Sequence, residues 1–315
     1  MTQEKTYSQI RNEFTERFYK QIVPKIQKYE KERKTTLIKT ICFSILMILA
    51  GILITIMNIS LQYKGYVENF DENLGKIACA LFFGAFLIFP FFKKKFENKI
   101  KEKIMPIVCL CFSNLKWLPD LYGSSSMFKK SFLIYDYDEI EYDDIFRGQF
   151  KDVNFDIIES EFTKDSGKNK TTVFDGVIIK LDMNKNFTGN TVIKPDTFMH
   201  TTPSKALKHT ELEDIQFEKK FDVFTDDEVE ARYLITPSFM ERLNEIKVAF
   251  TADKVSCAFY KKYLFIALHT SKDLFSICSL FKKIDDPKQF FTMFEEILSI
   301  IKLIDHFKLN QKIGL

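Results

Sequence analysis

The sequence is poor in glycine and proline, with 10 and 8 of them in 315 residues. So few exclude a collagen-like, low-complexity or linker-rich chain. They also leave little material for a phosphate-binding loop, and neither G-x-G-x-x-G nor G-x-x-x-x-G-K-[ST] occurs. The nucleophile motif G-x-S-x-G and the zinc motif H-E-x-x-H are absent as well. The common signatures of nucleotide-binding proteins, α/β-hydrolases and zinc peptidases are therefore missing.

An excess of charge of one sign is also lacking, since 46 Lys and Arg face 43 Asp and Glu. This balance gives no reason to expect a nucleic-acid partner, because such domains are usually markedly basic. The average conceals a pattern. Residues 1–39 carry a net charge of +5 and residues 93–104 a net +4, whereas residues 105–315 carry −5. The positive charge therefore flanks two apolar stretches.

Metal-ligating and redox patterns are weak. None of the six cysteines forms a C-x-x-C pair, so we expect reduced, buried thiols and neither a zinc ribbon nor a thioredoxin-type site. His200, His209 and Glu211 share a polar segment, but a solvated surface explains them better than a metal site. We expect no cofactor and no metal.

Two long apolar stretches are the strongest feature of the chain. Thr40 to Tyr63 holds 24 residues without a charge, and a helix of that length reaches about 36 Å. The second, Ile77 to Phe92, has 16 uncharged residues and reaches about 24 Å, or about 28 Å if Leu74 to Lys76 join it. A hydrocarbon core is about 30 Å thick. We predict two membrane-spanning helices; the alternative for each is a buried core helix.

The basic residues that flank this hairpin predict its orientation. Positive charge resists translocation, so both termini should be cytoplasmic and the connection external, in a multi-pass protein of the inner membrane. Tyr7, Ile10, Phe14, Phe18 and Ile22 recur at helical spacing before the first span. This amphipathic helix has two possible positions. It either packs on the basic stalk helix that follows the second span, at 93–118, or lies on the anionic inner leaflet of the membrane.

After the stalk, alternating strand patterns are followed by segregated helices. This order predicts an α+β fold class, with a cytoplasmic domain that contains a mainly antiparallel sheet. The whole is an N-terminal two-span transmembrane helical hairpin with flanking amphipathic helices, then this domain. The predicted boundaries are an amphipathic helix at 1–36, a transmembrane helix at 37–63, an external loop at 64–73, a second transmembrane helix at 74–92, a basic stalk helix at 93–118 and the α+β domain at 127–310.

Two local patterns invite a chemical interpretation. Six acidic residues fall between Asp136 and Asp144, but no Gly occupies the centre as a calcium loop requires, so we expect a solvated acidic stretch. Phe-x-Gly recurs at Phe146, Phe174 and Phe187, and we expect in each case an aromatic ring beside a glycine that permits a bulge or turn.

Several stretches resemble a family of bacterial membrane proteins known as domain of unknown function 3137. The resemblance rests on Val173–Val177 leading to Asn186–Asp196, on Glu230–Arg242 and, more weakly, on Asp143–Gly148. With the two apolar stretches it covers most of residues 35–310. It implies a membrane hairpin with a cytoplasmic domain and supplies no activity. Members are often encoded near LemA-type membrane proteins, which implies a membrane complex.

These observations predict a membrane-anchored, non-enzymatic interaction or regulatory protein of a bacterial inner-membrane complex. Its expected partners are the lipid bilayer, a membrane protein, with a LemA-type protein as one option, and another copy of itself. The alternatives are a membrane-tethered enzyme acting on a lipid or cell-envelope substrate and a channel formed by oligomerisation. Candidate residues for a ligand or partner surface are Asp182, Asp196, Arg232 and Glu241.

Overall fold

A computed structural model of the protein divides into two compact units. The helical unit is Thr15–Met105 with Ser276–Phe290, and the sheet unit is Met1–Phe14, Pro106–Phe275 and Phe291–Leu315. The structure describes residues 5–65, 71–112, 114–118, 126–196, 202–284 and 287–306. Pro119 and Gly123–Ser126 predict a domain boundary. Apart from Ser126, these residues lie outside the described residues, and so does His200.

The N-terminal region is helical and contains two helices long and apolar enough to cross a membrane. Here α1 is Tyr7–Arg17, a π-helical turn is Phe18–Ile22, α2 is Val23–Tyr63, α3 is Glu72–Cys109 and a 3₁₀ turn is Leu110–Phe112. A proline inside a helical pattern, such as Pro24, predicts a kink or a new helix start. Pro24 lies in the first turn of α2, directly after the π-helical turn.

In the helical unit, α2 and α3 contact each other through small and polar side chains. Ser44 donates a hydrogen bond to the carbonyl of Ala85 at 3.1 Å. Gly51 lies so close to Phe82 that an added Cβ would be 3.0 Å from that ring. Large apolar side chains instead face outward: Leu53 is 68% exposed and Phe86 is 73% exposed. This arrangement is the inverse of helix packing in water, where large apolar side chains are buried.

The contact between α2 and α3 continues outside the apolar stretches. Glu32 and Lys99 form an ion pair at 2.8 Å, and the Lys103 ammonium lies 5.5 Å from the centre of the Tyr29 ring. Both contacts agree with the stalk alternative for this part of the N-terminal segment.

In the sheet unit, α1 packs against the final helix, which the sequence did not reveal. The predicted apolar stripe is buried at Ile10 and Phe14. Phe14 stacks on Phe294 with 4.1 Å between ring centres, and Arg11 pairs with both oxygens of Glu295 at 2.7 and 2.8 Å.

The α+β fold class is confirmed: the described residues form nine strands of one sheet, and neighbouring strands pair antiparallel. The order is β1-β2-β3-β4-β9-β8-β5-β7-β6. The strands are β1 Leu115–Leu118, β2 Glu139–Phe150, β3 Val153–Asp165, β4 Lys170–Asp182, β5 Thr191–Pro195, β6 Lys208–His209, β7 Phe221–Thr225, β8 Lys254–Tyr260 and β9 Tyr263–His269. The helices among and after them are α4 Ser126–Lys130, α5 Ile215–Glu218, α6 Glu228–Leu234, α7 Pro237–Ala249 and α8 Pro287–His306.

An aromatic core covers one face of this sheet. Phe162, Phe174 and Phe265 project from β3, β4 and β9, and Phe128 and Tyr137 pack on them from the segment before β2. The final helix carries apolar residues at helical spacing, which predicts one apolar stripe. That stripe is buried at Phe290, Phe294, Ile297, Ile301 and Ile304.

Side-chain direction departs from the sequence pattern at two places. The two-residue period of Val173, Val177, Ile179 and Leu181 predicts one shared face, yet Val173 is exposed. Phe162 lies opposite Phe174 and Thr163 opposite Thr172, so Val173 is the extra residue of a β-bulge, and the two-residue period breaks there. The Thr-, Lys- and Glu-rich segment at 197–216 predicts an exposed excursion, and most of its described residues are exposed. Leu207 and Thr210 are nevertheless buried, and so is Phe217 directly after the segment.

The Phe-x-Gly prediction is supported at Gly176, which follows this bulge. Its φ is +144°, and an added Cβ would lie 2.0 Å from the Leu268 carbonyl oxygen of the neighbouring strand. Only a residue without a side chain fits so near another backbone.

We predict that Gly176→Ala lowers the stability of the full-length protein in detergent by about 3 kcal/mol or more, since the backbone of β9 cannot yield. Gly167→Ala is the matched control. Its φ is +77°, and an added Cβ would meet no atom of the described residues beyond its chain neighbours within 4 Å, so it should lose only about 1 kcal/mol. Thermal unfolding compares the two, and equal losses would show that the close approach to Leu268 does not matter.

Candidate functional site

The two stretches that carry most of the family resemblance meet in the structure. The turn before β5 supplies Thr188 and Gly189, and α6 supplies Glu230. The Glu230 carboxylate accepts hydrogen bonds from the backbone N–H of Thr188 at 3.0 Å and of Gly189 at 2.8 Å. Asp227 accepts a third from the Thr188 hydroxyl at 3.0 Å. Backbone donors and carboxylate acceptors therefore join segments about forty residues apart in the chain.

A further acidic residue completes this contact, which we call the motif clasp (Thr188, Gly189, Asn190, Asp226, Asp227 and Glu230). Asp226 accepts a hydrogen bond from the backbone N–H of Asn190 at 2.6 Å. A Cβ on Gly189 would lie 2.5 Å from the Asp226 Oδ1 and 2.7 Å from the Asp227 Cβ. Glycine is therefore required at 189 by close approach.

Asp227 also caps α6, because its carboxylate accepts the Glu230 N–H at 3.0 Å. This hydrogen bond, followed by the one from Thr188, holds the pKa of Asp227 below its usual range. Sequence reasoning missed Asp226 and Asp227. The pattern Asp-x-x-Glu from 227 to 230 is a capping-box signal that could have found the helix start.

The clasp positions an exposed surface on α6, defined here as Glu228, Val229, Arg232 and Tyr233. Val229 is 81% exposed, and Tyr233, one turn later, is also exposed. Arg232 pairs with Glu228 at 2.9 Å on the same helix. The Lys185 ammonium lies 4.9 Å from the centre of the Tyr233 ring. Apolar and charged groups thus lie side by side on the exposed face of α6.

The four residues predicted from the sequence lie at separate places. Arg232 belongs to the α6 surface and Glu241 is exposed on α7. Asp182 ends β4, where it pairs with Lys262 at 2.6 Å. Asp196 follows β5, and its N–H bonds to the carbonyl of Lys220 at 2.8 Å.

Strand register separates the two aspartates along the sheet. Asp182 lies opposite Tyr263, at the turn between β8 and β9. Thr191 lies opposite Phe259 near that turn, so β5 runs away from it toward Asp196. At about 3.3 Å per residue, the five positions from Thr191 to Asp196 correspond to roughly 16 Å. The structure therefore does not bring these carboxylates together.

The acidic stretch was predicted to be solvated, and this is wrong for its last residue. Asp144 is fully buried. Tyr142 lies opposite Ser160 and Ile145 opposite Ile158, so Asp143 and Asp144 together face Glu159 across a β-bulge. Such a bulge re-aims a side chain, and here it turns Asp144 inward.

This bulge gathers three carboxylates, of Asp143, Asp144 and Glu159, whose oxygens lie within 4.8 Å of one another and could hold a metal ion. Protein donors already approach two of them. The Trp117 indole N–H donates to Asp144 at 2.7 Å, and the Leu274 N–H donates to Glu159 at 2.8 Å. The bulge therefore ties β1 and the segment after β9 to the sheet.

Among the described residues of the sheet unit, burial lowers the pKa of two basic groups, Lys194 and His269. Burial lowers the pKa of Lys194 to about 8, and its ammonium lies 4.5 Å from the centre of the Tyr135 ring. Burial, followed by the nearby Lys254 ammonium, lowers the pKa of His269 to about 4, although Asp253 opposes this. His269 packs edge-on against Phe174 at 4.7 Å, so a packing role for this histidine accounts for its geometry.

The remaining metal-ligating candidates are dispersed. His209 lies 3.3 Å from Asp222, on the neighbouring strand. The six cysteines are free thiols, and burial raises the pKa of Cys109 to about 12 and that of Cys257 still further. A raised thiol pKa opposes thiolate chemistry at both.

Comparison with known proteins gives a family without an assigned activity. Residues 172–309 match the family model described as "Protein of unknown function (DUF3137)". The family predicted from the sequence is therefore confirmed over these residues. They include most of β4, the motif clasp and the α6 surface.

Comparison with curated proteins and with solved structures assigns no activity to the chain. No curated protein matches the chain. The crystal structure of the mycobacterial trehalose monomycolate transport factor A, TtfA, is similar at 7% identity and a TM-score of 0.31. The alignment covers 61% of this chain and 88% of that one. A likeness at this level carries no argument about the present chain.

We predict that Glu230→Gln destabilises the sheet unit by about 1–2 kcal/mol, because a neutral amide accepts the two N–H bonds more weakly than a carboxylate does. Glu228→Gln, on the same helix, should cost less than about 0.5 kcal/mol, since it removes only an exposed pair. Hydrogen exchange at Thr188 and Gly189 is the measurement. Faster exchange in both variants, or in neither, would contradict the clasp.

Proposed function

We propose that the protein is a membrane-anchored, non-enzymatic interaction or regulatory protein of a bacterial inner-membrane complex. The observation that carries the proposal is the packing of α2 on α3. Small and polar groups such as Ser44, Gly51 and Ala85 are buried between the helices, and large apolar side chains face outward. Lipid, and not water, is the solvent in which such a helix pair is stable.

The distribution of basic residues supports an orientation with both ends of the chain on the cytoplasmic side of the membrane. Lys93, Lys94 and Lys95 follow the second apolar stretch, and a basic segment precedes the first. Both ends of the chain would therefore be cytoplasmic, and the short connection external.

The sheet unit supports binding rather than catalysis. Two of its polar clusters, the motif clasp and the carboxylates at the bulge, join separate segments of the chain. Within the described residues, Asp182 and Asp196, on which a membrane-tethered enzyme would depend, lie toward opposite ends of the sheet. The α6 surface, with Arg232 at its centre, is the proposed docking surface, and Glu241 is a further candidate.

The expected partner is an integral membrane protein of the same bilayer, and a LemA-type protein is the first to examine. Self-association through the exposed faces of α2 and α3 is compatible with this partner. It would place several α6 surfaces in one complex.

Site-specific photo-crosslinking tests the docking surface in the native bacterium. A photoreactive residue at Val229 should give one discrete adduct with a membrane protein, identified by mass spectrometry. The matched control is Val248, which is similarly exposed, on α7. An adduct at 229 that is lost in Arg232→Glu supports the proposal. Equal adducts at both positions, or none at 229, contradict it.

A further inference from the structure

A short turn in the helical unit exposes an aromatic ring between buried neighbours. Phe281 is 55% exposed, whereas Leu280 and Ile284 are fully buried. A bridge between Ser279 and Lys282 closes the turn, and the Phe281 N–H donates to the Ser279 hydroxyl at 3.3 Å. We call Ser279–Lys283 the aromatic turn.

An ion pair on α2 holds the aromatic turn from both sides. The Arg33 guanidinium donates to the carbonyl of Leu280 at 2.8 Å and to both oxygens of Glu30 at 2.8 Å. Glu30 in turn accepts the Ile284 N–H at 3.2 Å. The hydrogen bond from Arg33 holds the pKa of Glu30 below its usual range, although desolvation opposes it. The exposure of Phe281 is therefore fixed by a buried, charge-assisted contact.

The exposed ring lies beside the second apolar helix. Phe281 and Phe89 are stacked, with 6.2 Å between ring centres and 26° between their planes. Phe89 belongs to the uncharged stretch and precedes Lys93 by four residues, which on a helix is about 6 Å. Phe281 is thus level with the end of the apolar stretch.

The rest of the turn is basic. Lys282 and Lys283 are both exposed, and they follow the ring just as Lys93 to Lys95 follow Phe92 on α3. An aromatic ring with adjacent ammonium groups at this level matches the boundary between acyl chains and anionic headgroups.

We propose that the aromatic turn is a lipid-binding element, in which Phe281 inserts into the cytoplasmic face of the bilayer and Lys282 and Lys283 bind anionic phospholipid headgroups. This inference rests on the proposed membrane anchoring of α2 and α3. It adds a third membrane contact, from a segment more than 170 residues after the second apolar stretch. Arg33 and Glu30 are positioning residues for this contact.

Fluorescence quenching in vesicles tests the insertion of Phe281. Full-length Phe281→Trp is reconstituted in vesicles of phosphatidylcholine and phosphatidylglycerol, with and without brominated acyl chains. Tyr19→Trp is the control, because Tyr19 is 58% exposed in the same unit but precedes Thr40 by 21 residues, roughly 32 Å along a helix. Trp117 is common to both variants, and its emission is subtracted with the unsubstituted protein.

We expect the bromine to quench at least about half of the indole emission from position 281 and almost none of that from position 19, since this quenching requires contact with the acyl chains. Equal quenching at the two positions would overturn the inference. An emission maximum typical of a water-exposed indole at position 281 would also overturn the inference. That result is expected if a protein partner, and not lipid, covers the aromatic turn in the cell.

The lysines are tested in the Phe281→Trp background. Lys282→Gln with Lys283→Gln should remove the extra quenching that phosphatidylglycerol gives over pure phosphatidylcholine. Lys25→Gln with Lys28→Gln, which removes two exposed lysines of α2, should leave it unchanged. The same response in both pairs would overturn the headgroup contact.

Flotation of the same vesicles separates the two proposals. A chain that does not float with lipid contradicts membrane anchoring itself. A chain that floats but shows no quenching at position 281 contradicts only the aromatic turn.

Discussion

The structure depends on the contact between α2 and α3, where small and polar residues of the apolar stretches are buried while most of the large apolar side chains face outward. Ser44 donates to a backbone carbonyl, and Asn58 exchanges two hydrogen bonds with the backbone of Asp71 at 2.9 and 3.0 Å. Gly51 and Gly84 permit close approach of Phe82 and Met47. In water such a pair would forgo the burial of its large side chains. In lipid the large side chains need no burial, and the polar contacts determine the pairing.

In the sheet unit, carboxylates hold separate segments of the chain together. Asp226, Asp227 and Glu230 bind the turn before β5, and Asp144 and Glu159 bind Trp117 and the backbone of Leu274. In each case an acidic side chain accepts a hydrogen bond from a donor in another segment of the chain. Much of the family resemblance thus falls on residues that form the motif clasp. The exposed side chains beside the clasp on α6 are the candidates for binding.

Much of this organisation could be predicted, since the two apolar stretches, the final amphipathic helix and the β8–β9 hairpin each have a strong local period. The burial of Asp144 could not, because a bulge at Tyr142–Ile145 is set by pairing with β3 and has no local signal. The exposure of Val173 could not be predicted either, because the bulge at this residue is set by the pairing of β4 with β3. Contacts between distant segments were also beyond the sequence: Phe14 on Phe294, Glu230 on Gly189, and Arg33 on Leu280.

Cysteine labelling in intact spheroplasts tests most directly whether α2 and α3 cross the membrane. Lys64→Cys places a thiol after α2, and Lys168→Cys places one in the exposed turn between β3 and β4. Native thiols give little background, because four are buried and Cys42 and Cys79 lie in the apolar stretches. An impermeant maleimide should label position 64 before lysis and position 168 only after it. Labelling of both positions, or of neither, before lysis would contradict a membrane-spanning pair with a cytoplasmic sheet unit.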